Sequence, residues 1–169
     1  MKKFLFCCLS LLAFSCDDGD LQIEVIDFNE TDIQVCGTAT TATNVLFKIN
    51  GDEALILEIP NGLLLNEAST DTITSSIPSQ SQLTYRVFSG TVSSSYFCDA
   101  IPVTDPTVLD EIEAANGQVL ITTARGTEAD SLKYTHTIRL KDITLERENG
   151  SRITDLTINE FGTVTTTAN

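Results

Sequence analysis

The sequence predicts a mainly-β protein whose body is a single antiparallel β-sandwich-like domain. Asn-Gly, the dipeptide best suited to tight type I′ hairpin turns, occurs four times, at 50–51, 61–62, 116–117 and 149–150. Between the turns lie short runs rich in Thr, Val and Ile, in which apolar side chains recur at every second position. Many short strands joined by frequent turns favour two packed layers of sheet.

The first twenty residues differ from this body. Lys2 and Lys3 precede an apolar run from Phe4 to Phe14 that contains one polar residue, Ser10. The run is too short to span a membrane, which needs roughly twenty residues. A basic start, a short apolar stretch and a small residue before a cleavage point are typical of a secretory signal peptide. We therefore assign 1–15 to a signal peptide, 16–20 to a tether and 21–169 to the β-rich domain.

The end of the apolar run, Ala13-Phe14-Ser15-Cys16, resembles the lipobox of bacterial lipoproteins. In that family the cysteine becomes the first residue after cleavage and receives acyl chains. The resemblance implies that Cys16 is lipidated and that the protein is attached to a membrane through this residue alone. The alternative is a free cysteine in an ordinary signal peptide.

Three acids follow Cys16 directly, namely Asp17, Asp18 and Asp20. This arrangement is similar to the export signal of Bacteroidota-type surface lipoproteins. It implies a location on the bacterial outer membrane, with the cell surface favoured over the periplasmic face. The alternative is a flexible hydrophilic spacer, since a short acidic segment that contains glycine does not fold by itself.

The cysteines also predict a disulfide. Cys7 and Cys8 leave with the signal peptide and Cys16 is the lipidation site, so that Cys36 and Cys98 remain as an even pair. Disulfides persist in exported proteins. Both residues lie in segments whose sequences predict strands, "DIQVCGTA" and "SSYFCDA". The alternative is a pair of buried thiols.

The first half of the domain contains the clearest hairpin. Around Asn50-Gly51 the pattern places Val45, Phe47 and Ile49 on one face of the first strand, and Leu55, Leu57 and Ile59 on one face of the second. The polar stretch 66–82 is expected to be a long loop. Another turn is predicted at Ser89-Gly90, between the strands "LTYRVF" and "TVSSSYF".

One segment of the second half has two interpretations. Residues 106–115 fit a helix, with Asp105 as its N-cap and Pro106 at its first position. They also fit a strand from Val108 to Ala115 that turns at Asn116-Gly117 into "QVLITTA". We favour the hairpin because its surroundings are β-rich. A further hairpin is predicted around Asn149-Gly150.

The candidate catalytic groups are few. His136 is the single histidine, and it shares the apolar face of a strand with Leu132, Tyr134, Ile138 and Leu140. A histidine on such a face is expected to be a hydrogen-bonded core residue, and without further ligands it forms no ordinary zinc site. Glu111 and Glu113 are interpreted as solvated charges. The acidic stretch 27–32 lacks the spacing of a calcium loop, although adventitious calcium there is an alternative.

The charge balance limits the partners. The chain has 24 acidic and 10 basic residues, a formal net charge of -14. Loss of Lys2 and Lys3 with the signal peptide would leave 8 bases against 24 acids, or -16. Such a charge opposes binding to nucleic acid. No nucleotide-binding fingerprint or metal motif is present in the sequence, so no cofactor is expected.

These observations predict a lipid-anchored lipoprotein of the cell envelope that works as a binding or structural accessory module and not as an enzyme. Its expected partners are the membrane, through Cys16, and an envelope protein. The alternative function is a small envelope hydrolase that uses acidic residues or His136. Such an enzyme would need His136 beside a serine and an aspartate, or two carboxylates held across a pocket.

Overall fold

The computed structural model describes residues 26–101, 103–147, 150, 152–153 and 159–168. Within these residues the chain forms eight strands, one short α-helix and a 3-10 turn at Glu128–Asp130. The strands are β1 (Val45–Asn50), β2 (Glu53–Glu58), β3 (Ile73–Ile77), β4 (Gln82–Phe88), β5 (Val108–Arg125), β6 (Lys133–Glu146), β7 (Arg152–Ile153) and β8 (Glu160–Thr167). The helix α1 (Ser94–Cys98) lies between β4 and β5.

All eight strands belong to one antiparallel sheet, which confirms the predicted mainly-β class. Its centre is the long β5–β6 hairpin. At one end of this hairpin β5 pairs with β4, β4 pairs with β2 and β2 pairs with β1, while β6 pairs with β7. We call this part of the sheet the first half. At the other end β5 pairs with β3 and β6 pairs with β8, which we call the second half.

The sheet curls so that its two halves share one core. Leu55 and Tyr85 of the first half belong to the same buried cluster as Ile121, Ile138 and Phe161 of the second half. These five side chains are 0% exposed. Because one continuous sheet contributes side chains to the core from both halves, the domain is sandwich-like without having two separate sheets.

The passage between the halves is a bend in β5 and β6, and it corrects the turn predicted at Asn116-Gly117. β5 runs unbroken through Gly117, so the strand interpretation of 108–115 is right and the hairpin ending at 116–117 is wrong. Asn116 pairs with Thr144 and Gln118 with Lys141. Two residues of β6, Asp142 and Ile143, therefore stand opposite Gly117 alone, which is a β-bulge.

Gly117 is required here by a close approach and not by a turn. Its φ of 146° lies outside the range that L-residues adopt readily, and its Cα faces Ile143. The ideal Cβ of any other residue would overlap Cδ1 of Ile143 and lie 3.3 Å from the Cα of Ile143 and from the carbonyl oxygen of Lys141. A bulge glycine in a strand and a hairpin glycine have the same local sequence signal.

The Asn50-Gly51 hairpin is confirmed, with Gly51 at a φ of 66°. The two predicted apolar faces, however, lie on opposite sides of the sheet. Phe47 pairs with Ile56, whereas Leu55 and Leu57 lie on the opposite face from this pair, in the main core. Both faces of β1 and β2 are buried, because the face away from the main core belongs to a second apolar cluster.

Three other local predictions are corrected. The segment after Ser89-Gly90 is not a strand, because Ser94–Cys98 form α1. Near Cys36 the strand prediction reduces to one isolated bridge between Gln34 and Phe47. The stretch 66–82 is not all loop, since it contains β3, whose Ser75 hydroxyl bonds that of Ser81 at 2.7 Å.

The last predicted hairpin is present as far as the structure describes it. Leu145 pairs with Ile153 and Glu146 with Arg152, and the amide of Gly150 donates to the carbonyl oxygen of Arg147 at 2.8 Å. Asn149, the other half of the predicted turn dipeptide, lies outside the described residues.

Candidate functional site

His136 lies in the interior of the second half, as the alternation of β6 predicts. It is 0% exposed, and the side chains two residues away on either side, Tyr134 and Ile138, are also buried. Its Nδ1 is 2.8 Å from the Thr123 hydroxyl and its Nε2 is 2.8 Å from the Thr166 hydroxyl. The predicted hydrogen-bonded core histidine is confirmed.

The hydrogen bonds determine the tautomer of His136. The Thr166 hydroxyl donates to Oδ1 of Asn66 at 2.6 Å, so its oxygen is left to accept from Nε2–H. Nδ1 then accepts from the hydroxyl of Thr123. Burial lowers the pKa of His136 below its ordinary value, because desolvation disfavours the charged ring. The result is a neutral imidazole held between two threonines.

The polar side chains around His136 form hydrogen bonds that hold the fold together. Ser69 bonds the backbone of Thr123, and its hydroxyl accepts from the Thr123 amide at 2.8 Å. In the described part of the chain, His136 makes hydrogen bonds to threonine hydroxyls and to no serine or carboxylate. The hydrolase alternative therefore has no assembled triad around His136 in these residues.

Glu111 and Glu113 lie on the solvent side of β5. Glu111 forms an ion pair with Arg86 of the neighbouring strand, and Glu113 pairs across the sheet with Thr84 on one side and Glu146 on the other. Both glutamates are exposed. An exposed cross-strand ion pair contributes at most about 1 kcal/mol to stability. The two carboxylates face water, in agreement with their interpretation as solvated charges.

The acidic stretch 27–32 forms a local turn. The amide of Asn29 donates to Oδ1 of Asp27 at 3.0 Å, and the amide of Thr31 donates to the carbonyl oxygen of Phe28 at 3.2 Å. Among the residues that the structure describes, no three His, Cys, Asp or Glu side chains come together as metal ligands.

Lys48 is a buried lysine that the sequence did not predict. Lys48 projects from β1 into the core and is 3% exposed, with its Nζ 5.9 Å from the centre of the Phe161 ring. It borders a cavity of about 10 Å³, together with Phe28, Asn29 and Glu160, which has room for about one water molecule. No hydrogen bond or ion pair to its amine is formed within the described segments.

The pKa of Lys48 is lowered by desolvation, although Asp32, Glu160 and Asp27 act in the opposite direction. The signal in the sequence is the alternation itself, since Lys48 stands between Phe47 and Ile49, which the pattern places on one face. A lysine on the other face reads as solvent-exposed unless both faces of the strand are known to be covered.

The Cys36–Cys98 disulfide is confirmed, with an S–S distance of 2.07 Å and Cα atoms 5.2 Å apart. It joins the segment before β1 to the last residue of α1. This bond holds α1 beside a second apolar cluster on the outer face of the first half, formed by Phe47, Ala54, Ile56, Phe88 and Val92. We call these five residues the outer cluster.

The predicted lipidation site Cys16 and the predicted export signal, Asp17, Asp18 and Asp20, lie outside the described residues. Within the described ones, no helix has the length and apolar character needed to cross a membrane. Comparisons with protein-family models, with curated proteins and with solved structures gave no match to this chain.

Proposed function

We propose that this chain is a lipid-anchored lipoprotein of the bacterial cell envelope, held in the outer membrane through Cys16 and exposed on the cell surface. The observation that carries the proposal is the order of signals in the first twenty residues: basic start, short apolar run, small residue, cysteine and then acids. The Cys36–Cys98 disulfide supports it, because such bonds persist in oxidising compartments outside the cytoplasm.

We further infer that the domain works by binding or as a structural accessory to an envelope protein, without catalysis. The buried position of His136 between two threonine hydroxyls supports this inference, since both ring nitrogens are already engaged. The solvent-facing positions of Glu111 and Glu113 support it as well, because neither lies within an enclosed site.

The anchor is tested by replacing the acylated sulfur. Cys16→Ser is expected to move the protein from the detergent phase to the aqueous phase, because two or more acyl chains hold a protein at a membrane whereas an unacylated domain has no such contact. The matched control is Cys7→Ser, which removes a thiol from the apolar run and should leave partitioning unchanged. A Cys16→Ser protein that still enters the detergent phase would refute the lipid anchor.

The surface location is tested separately. Changing Asp17, Asp18 and Asp20 together to Ser should leave the protein folded and membrane-bound but protect it from protease added to intact cells. The control is the same loss of charge at three exposed glutamates of the domain, Glu58, Glu67 and Glu128. Equal digestion of the aspartate variant and the parent would show that the acids are only a spacer. Protection of the parent itself would place the protein on the periplasmic face.

A further inference from the structure

The outer cluster is covered by the two aromatic residues of α1. Phe97 stacks on Phe47 with ring centroids 4.5 Å apart, and Tyr96 meets Phe88 edge-on at 4.9 Å. Phe47 is 0% and Phe88 is 1% exposed. Aromatic rings of this size bury large apolar areas, so removal of α1 would expose a substantial apolar surface on the first half.

The backbone of α1 contributes little to its attachment to the sheet. The helix is five residues long, none of them buried, and its N-cap Ser93 makes no side-chain cap bond. Its backbone bonds in the described chain are local, from the Tyr96 amide to Ser93 and from the Asp99 amide to Ser95. A helix this short is unstable alone, because nucleation costs more than its few bonds return. Two rings and the disulfide therefore keep it in place.

The disulfide is open to attack. Cys36 and Cys98 are both exposed, and Cys36 forms part of the wall of a groove of about 350 Å³. The other lining residues are Thr38, Thr40, Ala42, Thr43, Asn44, Val45 and Phe97. None of them carries a charge, although the whole chain has a formal net charge of -14. An attacking thiolate is an anion, so an uncharged approach avoids the repulsion expected elsewhere on this surface.

We propose that Cys36–Cys98 is a redox latch, and that a dithiol reductant of the thiol–disulfide oxidoreductase class opens it through this groove. Opening the latch releases α1 and uncovers the outer cluster, while the main core keeps the domain folded. The proposal goes beyond the lipid anchor and does not depend on it.

The chemistry is ordinary thiol–disulfide exchange. One thiolate of the reductant attacks a sulfur of the Cys36–Cys98 bond, which breaks and leaves a mixed disulfide and a cysteine thiolate. The second thiol of the reductant, as thiolate, then displaces the remaining cysteine and closes the reductant's own disulfide. Two electrons pass from the dithiol to the protein, and the two cysteine sulfurs take up the two protons that the dithiol loses.

The test compares the full mature protein before and after treatment with dithiothreitol, followed by hydrogen exchange and by the fluorescence of an apolar dye. In the reduced protein, amides of 93–99 should exchange at least about tenfold faster, which reports local opening. Dye fluorescence should rise, and exchange in β5 and β6 around Val119 and Ile138 should stay slow. Unchanged exchange in α1 would overturn the latch, and so would loss of protection throughout the sheet, which would mean a plain structural crosslink.

The double variant Cys36→Ser/Cys98→Ser is the matched control. It should show the reduced pattern both with and without dithiothreitol, because it has no bond to break. Reduction of the parent should also proceed from the folded state, at a rate proportional to dithiol concentration and insensitive to low urea. A rate that follows the global unfolding equilibrium would contradict the proposal, since the sulfurs would then be reached only in the unfolded chain.

Discussion

Gly117→Ala tests whether the bend between the two halves of the sheet depends on contact with Ile143. The new methyl group would sit at a φ of 146° and overlap Cδ1 of Ile143. Backbone strain at such a position costs about 1–3 kcal/mol. Crowding in a packed core costs about 1–3 kcal/mol more. We expect the free energy of unfolding to fall by about 3 kcal/mol, which denaturant unfolding monitored by circular dichroism would measure.

A double-mutant cycle separates the two costs. Ile143→Val removes the Cδ1 atom that the new methyl group would meet, and by itself it should cost about 1 kcal/mol. In the double variant Gly117→Ala/Ile143→Val the strain remains while the main overlap is gone. The combined loss should therefore be smaller than the sum of the single losses by about 1–2 kcal/mol.

The control for this cycle is Gly90→Ala. A Cβ at Gly90 meets no atom within 4 Å, and its φ needs no special freedom. Its stability should change by no more than about 0.5 kcal/mol. Strict additivity of Gly117→Ala and Ile143→Val, or a Gly117→Ala variant as stable as Gly90→Ala, would refute the close approach described for the bulge.

Two further predictions concern the buried titratable groups. Since burial lowers the pKa of His136, the unfolded chain binds more protons than the folded one below pH 6.5, and stability should fall there by up to about 1.4 kcal/mol per pH unit until the folded-state pKa is passed. Unfolding at pH 7 and pH 5.5 measures this loss, which His136→Gln should reduce; an equal loss in parent and variant would assign it to carboxylates. Lys48→Met should raise the free energy of unfolding at pH 7 by about 1–2 kcal/mol, because it removes a buried amine that has no ion pair among the residues that the structure describes. The parent should gain stability as pH rises toward 10.5, the ordinary pKa of lysine, and the variant should lack this rise; a clear destabilisation by Lys48→Met at pH 7 would show that the amine has a favourable partner.

The elements that the sequence predicted well are those whose signal is local. Asn50-Gly51 is flanked by two alternating runs, so the turn and both strands agree, and the hairpin is found where expected. The pairing of Cys36 with Cys98 was predictable because these two cysteines remain once Cys7, Cys8 and Cys16 are assigned to the expected signal peptide and lipobox. His136 follows the alternation of β6 into the core. The hairpin and the burial of His136 needed no knowledge of a distant neighbour, and the disulfide, which joins residues 62 apart, needed only the cysteine count.

The wrong predictions share the opposite property. The bulge at Gly117 is a matter of its pairing with β6, where Asp142 and Ile143 stand opposite it, and the local dipeptide does not report this pairing. The run "SSYFC" has strand-like residues, yet it is a helix whose rings lie on the outer cluster and whose last residue is tied to Cys36. β3 was hidden by its polarity, since its buried Ser75 finds a partner in Ser81.

Buried polar groups occur where irregular segments close over the sheet. Asn66, in the loop after β2, accepts from Thr166 beside His136. Ser81 fixes the turn between β3 and β4, and the segment carrying Phe28 passes over Lys48. An apolar residue at such a position would pack as tightly, but it would not distinguish one covering segment from another. His136→Gln and Lys48→Met therefore report different things. The first alters the ring contacts to Thr123 and Thr166, and the Thr166 hydroxyl in turn bonds Asn66 of the loop. The second removes a buried amine that forms no hydrogen bond or ion pair with the residues that the structure describes.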